Sequence, residues 1–347
     1  MGRVTVKTLA HALGVSPATV SNAYNRPDQL SAELRKRILA KAAELGYAGP
    51  DAAARTLRVG RSNAVGVLLT ERLSYAFSDP FAVEFLTGLS EVAEQEQVSI
   101  MLMPLSLSGV EPDTTSVQRA SVDALTILSV PQDHPAAAVA RARGIRLVGT
   151  DIDPDPDTSW VAIDDVQAGV LVGKHLTALG HRNVAVVVET NAPAGSDVVR
   201  LDPDAVAFVD YRARLRGLRS SLPSPPTVVS GGHNALASGA AAARWLMAQS
   251  APPTAVVGLS DVLALGALAA LTRLGYAVPA DLSVCGFDDI ADAAASGLTT
   301  VRQPIRERGR RVGRLLVDPD SSPRQVLLPI ELVTRASTGP APERSVT

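Results

Sequence analysis

Two aspartates and an arginine stand where apolar runs of this chain give out. Asp164 follows Val161-Ala162-Ile163, Asp288 follows Val284-Cys285-Gly286-Phe287, and Arg214 opens the segment Arg214-Leu215-Arg216-Gly217-Leu218. Carboxylates accept hydrogen bonds and a guanidinium donates them in a fork, so the set suits the adjacent hydroxyls of a sugar or another polyol. Each residue also has a plainer use as a helix cap or ion-pair partner. Asp165 and Asp289 are rivals to their neighbours, because each Asp-Asp pair leaves the choice open.

Other chemistries lack their residues. No Gly-x-Gly-x-x-Gly follows the first apolar run, and no Walker loop occurs. His11, His134, His175, His181 and His233 form neither a close metal-ligand pattern nor a triad. His175 and His181 read as solvent-facing or helix-capping. The run Asp151-Ile152-Asp153-Pro154-Asp155-Pro156-Asp157 lacks the glycine and closing glutamate of a calcium loop, and reads as an acidic surface turn. The expectation is a protein that binds rather than turns over its ligand, with no metal or cofactor.

The elements that must position the polar set form a repeat. Ala64–Leu69 is continuously apolar, as a buried parallel strand is. A helical segment carrying Phe81, Phe85, Leu86, Leu89 and Ala93 follows, then strand-like runs at 98–103, 124–128 and 145–149. The pattern restarts with a helix over Asp164 to Leu179 and apolar strands at 184–188, 227–229, 255–259 and 284–287, separated by helices. Asn191–Asp204 reads as a loop. Two such α/β sheets imply two lobes with a cleft, and ligands of such sheets lie at the C-terminal ends of the strands. Cys285 reads as a buried small apolar residue; as the single cysteine it excludes an internal disulfide.

The first sixty residues are built differently. Val6, Leu9, Ala10 and Leu13 recur at helical spacing behind Thr5 as N-cap. Gly14-Val15-Ser16 breaks the pattern, and Ser16 with Pro17 opens a second short helix that Asn25-Arg26-Pro27-Asp28 ends. Ser31 caps a third, with Leu34, Ile38, Ala42 and Leu45 on one stripe and Gly46 at its end. Three short helices with a tight turn between the first two make a helix-turn-helix unit. Val20 and Ala23 face its core, while Ala18, Thr19, Ser21 and Asn22 present small or hydrogen-bonding groups outward. Such groups fit a major groove, and the Ser16 end suits a phosphate. Pro50–Arg58 favours helix but spans about two turns, too short to be stable alone. Paired on DNA it could fold, with Leu57 as a minor-groove wedge and Arg55 or Arg58 near phosphates; packing of Leu57 on the body is the alternative.

Charge divides the same way. Residues 1–60 hold nine Lys and Arg against four Asp and Glu, although the whole chain of 347 residues is at −2. A basic head on an acidic body points to a polyanion for the head alone. With 46% hydrophobic residues the chain can fill more than one core. The start lacks the apolar stretch of a signal peptide, and no apolar run has membrane-spanning length, so a cytoplasmic protein is expected. The expected organisation is a helix-turn-helix domain over 1–48, a hinge helix and linker over 49–61, a two-lobed body over 62–335 and a frayed tail over 336–347. One lobe is drawn from about 62–160 and 291–325, the other from about 163–289.

Taken together the chain resembles the LacI/GalR family of bacterial regulators. Val4-Thr5-Val6-Lys7, Val15-Ser16-Pro17-Ala18-Thr19-Val20-Ser21, Glu44-Leu45-Gly46-Tyr47 and Ala54-Arg55-Thr56-Leu57 resemble its head. Arg214-Leu215-Arg216-Gly217, Ser260-Asp261 and Val284-Cys285-Gly286-Phe287-Asp288-Asp289-Ile290 resemble its periplasmic-binding-protein-like body. The resemblance implies a homodimer or tetramer, a near-palindromic double-stranded operator and a small effector such as a sugar. It places Thr5, Ser16, Thr19, Ser21, Asn25 and Tyr47 near the DNA backbone, Pro17, Ala18 and Asn22 at bases, and Leu57 in the minor groove. It assigns the effector to Asp164, Arg214 and Asp288, with Phe81 lining the pocket. Two departures stand out. Many relatives carry arginine at the position of Asn22, and an aromatic is missing from the run Asp79-Pro80-Phe81-Ala82. The alternatives are a sugar-binding transport component and a Rossmann-like enzyme. The absent signal peptide and the helical head argue against the first, and the absent phosphate loop and acid–base set against the second.

Overall fold

A computed structural model describes residues 4–49, 60–70, 73–105, 113–128, 134–153 and 155–343. The chain divides into two compact units, Met1–Ser62 and Asn63–Thr347.

The first unit contains α1 (Val6–Leu13), α2 (Pro17–Asn25) and α3 (Ala32–Glu44). Thr5, Ser16 and Ser31 each accept a backbone N–H three residues on, satisfying a donor the helix leaves orphaned. Gly14 takes φ 64° and closes α1, a left-handed conformation that costs glycine least. Leu9, Ala10, Val20, Ala23, Ile38 and Ala42 make the small core, completed by Tyr47, whose ring meets Tyr24 edge-on at 5.9 Å.

The second unit has thirteen strands among the described residues: β1 (Ala64–Thr70), β2 (Ser99–Leu105), β3 (Ala124–Leu128), β4 (Arg146–Gly149), β5 (Ser159–Ile163), β6 (Val184–Val187), β7 (Val199–Arg200), β8 (Thr227–Ser230), β9 (Ala255–Gly258), β10 (Ser283–Asp288), β11 (Thr299–Arg302), β12 (Gln325–Leu328) and β13 (Glu331–Val333). The first sheet runs β12-β5-β4-β3-β1-β2, wholly parallel. The second runs β13-β11-β10-β9-β6-β8-β7, parallel except for its two edge strands. The stretch expected as a loop over Asn191–Asp204 supplies one of those edges, β7.

The chain passes between the sheets after β5, after β11 and after β12. The lobe boundaries therefore differ from those read from sequence. Ala291–Arg302 belongs to the second lobe, because β11 pairs with β10 through Cys285↔Thr299 to Asp288↔Arg302. Residues 305–328 serve the first lobe, and β13 returns to the second. The expected frayed tail is tied down up to Ala341. Ser337 Oγ donates to Val284 O at 2.6 Å and accepts from Thr299 N at 2.8 Å, and Ala341 N donates to Leu179 O at 2.8 Å.

His181 departs from expectation for the same reason. It is fully buried under that terminal segment. Nε2 donates to Gly339 O at 3.1 Å, and Nδ1 meets the Thr254 hydroxyl at 3.0 Å. Burial pushes its pKa down. A histidine held neutral in the fold but free to protonate when unfolded favours unfolding as acid is added. Stability should be at full value above the unfolded pKa of about 6.5 and fall as pH drops below it toward the folded value. Denaturant titrations at several pH values should show this loss, and His181→Gln should make it shallower, leaving the part due to His134 and His175, which burial lowers in the same direction. An equally steep loss in the variant would assign it elsewhere.

Helices cover both faces of each sheet, and they touch through glycines. Of those used below, α4 spans Leu73–Ala76, α5 Pro80–Gln95, α6 Thr115–Arg119, α7 Ala136–Ala142, α8 Asp165–Ala178, α9 Val209–Ser221, α10 Leu236–Met247, α11 Asp261–Arg273, α12 Ala291–Ala295 and α13 Ile305–Val317. Gly169 of α8 and Gly217 of α9 are packed so closely that a Cβ on either would lie 2.0 Å from a backbone oxygen of the other helix, Arg214 O and Val166 O respectively. Gly88 with Gly309 does the same for α5 and α13, and Gly239 with Gly266 for α10 and α11.

Candidate effector cleft and DNA-reading surface

A cleft opens between the two lobes at the C-terminal strand ends, with about 890 Å³ of atom-free space including its mouth. The first lobe contributes Phe81 from the start of α5, Asp151 after β4 and Arg308 from α13; the second contributes Asp210 and Arg214 from α9 and Asp288 from the end of β10.

Arg214 is buried at the centre of a carboxylate group. Its Nε donates to Asp165 Oδ1 at 2.8 Å and its Nη1 to the carbonyl of Leu259 at 2.6 Å. Asp210 lies at 3.8 Å and Asp288 at 3.9 Å, and the guanidinium sits over the rings of Tyr211 and Phe287. Burial works against its charge, but Asp165, Asp210 and Asp288 outweigh that and raise its pKa. Asp165 and Asp288 are themselves raised, by burial first, with Arg214 pulling the other way.

Arg308 plays a matching part in the first lobe. It donates to the carbonyls of Val161 and Thr150 and to Gln303 Oε1, and lies over the Phe81 ring. Gln303, in the second crossover, donates in turn to Asp288 Oδ1 at 2.7 Å, so the two lobes are wired through it. A second cross-lobe bond runs from Asn234 Nδ2 to Tyr75 Oη at 2.8 Å, with Ser260 Oγ donating to Asn234 Oδ1 at 2.6 Å.

The rival aspartates separate by geometry. Asp288 faces the cleft from a φ of 121°, a conformation costly for a residue with a Cβ. Asp289 instead bonds Arg302 and Arg335, both at 2.6 Å, and anchors the terminal segment. At the other pair the two carboxylates take different partners. Asp164 caps α8, accepting from Gln167 N at 2.8 Å, and is not among the cleft-lining residues; Asp165 holds Arg214. Asp151 also departs from the surface turn expected for it. It lines the cleft, and burial followed by the charge of Asp210 pushes it up to about 7. In the same run Asp153 and Asp155 each accept the N–H two residues on. Sequence reasoning missed Tyr75, Asp151, Asp210, Asn234 and Arg308.

In the head, Pro17 and Ala18 are exposed and Ser21 and Asn22 half-buried on one face of α2, opposite the buried Val20 and Ala23. Ser16 Oγ lies 2.8 Å from Thr19 Oγ1, and Thr5 Oγ1 3.0 Å from Thr8 Oγ1. Tyr47 packs into the core. Arg55 and Leu57, with most of the expected hinge, lie outside the described residues, as does the side chain of Asn25. Among the described residues no group of His, Cys, Asp and Glu could hold a metal ion, and no helix is long and apolar enough to cross a membrane.

A helix-turn-helix unit and a two-lobed α/β body with a polar cleft define a DNA-binding regulator rather than an enzyme. Residues 5–49 match the bacterial regulatory proteins of the lacI family, and residues 174–338 match the periplasmic binding protein-like domain. An HTH-type transcriptional regulator of Mycolicibacterium smegmatis is 39% identical over 355 residues, 97% of each chain. The lac repressor dimer bound to operator and the anti-inducer ONPF shares the fold at a TM-score of 0.75 and 28% identity, over 97% of this chain and 100% of that one. The complex of the transcriptional regulator CelR with cellobiose does so at 0.66 and 25%, over 96% and 100%. The chain belongs to the lacI family of bacterial regulatory proteins and is a transcriptional regulator.

Proposed function

We propose that the protein is a cytoplasmic repressor, a homodimer or tetramer, whose grip on a near-palindromic operator is set by a small uncharged polyol such as a sugar. The observation that carries the effector is the pairing of cleft carboxylates with guanidinia already engaged. Arg214 and Arg308 donate to protein carbonyls and side chains, while Asp151, Asp210 and Asp288 remain as acceptors around the space between them. Hydroxyl donors satisfy such a lining, whereas a phosphate or acid brings acceptors to a site whose guanidinia are already engaged. The sugar held by CelR supports the same class.

On the DNA side, Thr5, Ser16, Thr19, Ser21 and Asn25 are the proposed backbone contacts, and Pro17, Ala18 and Asn22 the base contacts; Tyr47, packed into the core of the head, joins the backbone set only if its hydroxyl turns outward. Leu57 would complete the set as a minor-groove wedge, with Arg55 near a phosphate. Effector binding shifts the lobes; hinge segments that fold only as a pair then separate, and the operator is released. The effector moves this balance only by its difference in affinity for the two lobe arrangements.

The test is to select genomic fragments that the purified protein binds, then titrate neutral sugars and their phosphates against the tightest fragment. A neutral sugar should weaken binding at least tenfold. A phosphorylated sugar acting alone would overturn the effector class, and no selected fragment at low salt would overturn the regulator reading.

A further inference from the structure

Among the described side chains of α2, the outward face carries the amide of Asn22. Its Nδ2 donates to Oε1 of Gln29 at 3.2 Å, and Gln29 is exposed in the 3-10 turn Pro27–Gln29. An asparagine amide has two N–H donors and one acceptor oxygen. The bond to Gln29 uses one donor and ties the two amides to each other. Taken by the N–H remote from Oδ1, it leaves the second N–H and Oδ1 side by side on one edge of the amide. Turning over either amide alone would set two oxygens or two N–H groups against each other, so the pair holds its orientation together.

A donor beside an acceptor is half of a code. In the major groove adenine offers the N7 acceptor next to the N6 donor, whereas guanine offers two acceptors, thymine an acceptor and a methyl, and cytosine a lone donor. Adenine alone matches both free groups of Asn22. Guanine would leave Oδ1 facing another acceptor.

We propose that Gln29 is a positioning residue for base recognition, holding the Asn22 amide so that it reads an adenine and fixes one A·T pair in each operator half-site. This rests on the operator-reading role proposed above and adds the base and the residue that sets it.

The experiment is selection from random-sequence duplexes with the full chain, followed by sequencing and by affinity measurements on single-base variants of the enriched site. The wild-type protein should prefer A at one symmetric position by about tenfold over the next base. Gln29→Ala should cut that preference to about threefold while leaving the other positions unchanged. Gln29→Glu keeps an acceptor oxygen for Asn22 Nδ2, and should retain the A preference while weakening binding to all sequences alike. Asn22→Arg should move the same position to G. A wild-type site with G·C wherever Asn22→Arg changes the selection would overturn the proposal, as would an A preference untouched by Gln29→Ala. Failure of the wild-type chain to enrich any sequence would instead overturn the operator-reading role itself.

Discussion

Replacing Arg214 with leucine should abolish the effector response, raising the ligand concentration needed to release DNA more than about a hundredfold while operator affinity without ligand stays within about twofold. The residue is the cation amid Asp165, Asp210 and Asp288, and it is almost wholly buried. Removing it leaves two buried carboxylates, Asp165 and Asp288, without their cation, a change that costs about 3–5 kcal/mol in comparable buried pairs. The sign with pH follows from those two groups, whose pKa values burial already raises. Without Arg214 they rise further, so the penalty is largest at alkaline pH and shrinks as acid protonates them. Denaturation at about pH 8 and about pH 5 should show the gap between variant and wild type closing. Arg214→Lys keeps the charge but not the fork, and should fall between the two. A leucine variant that still answers to the ligand would remove Arg214 from the effector site.

Gly169→Ala should cost about 3 kcal/mol, although helix propensity alone forecasts a gain of about 1 kcal/mol. The added Cβ would sit 2.0 Å from Arg214 O and 2.9 Å from Leu218 N, where ordinary contact begins at 3.4 Å. Both obstacles are backbone and cannot rotate away, so α8 and α9 must part. Their interface encloses fully buried Val172, Leu176, Leu215 and Leu218, and separation thins that packing as well. The expected fall in melting temperature is roughly 5 °C or more. Ligand affinity should drop with it, because Arg214 rides on the displaced helix and Asp165 on its partner. Unchanged melting would show that the helices yield more easily than their spacing implies.

The architecture was legible in the sequence because its signals are local. Buried parallel strands appear as apolar runs such as Ala64–Leu69 and Val184–Val188, and Thr5, Ser16 and Ser31 announce their helices by capping them. What failed depends on contacts distant in sequence or on a single bond rotation. Asp164 and Asp165 differ by one position across a helix start, and only the backbone angles there decide which carboxylate caps and which points to Arg214. Arg308 sits among Arg306, Arg310 and Arg311, where nothing but packing against Val161 and Thr150 marks the one turned inward. His181 reads from sequence as solvent-facing or helix-capping because its lid, Gly339, lies far along the chain. The 291–302 segment carries strand-forming residues, but no local feature says which sheet receives them.

The strands that complete the two sheets have a consequence for synthesis. β12 and β13 are added only after the chain has crossed between lobes for the second and third times. On the ribosome, the amino-terminal unit with its own core therefore emerges able to fold long before either half of the ligand chamber can close. A nascent chain should pass through a stage at which it can engage nucleic acid yet is deaf to the metabolite. Stalling translation before residue 325 would be the way to catch it.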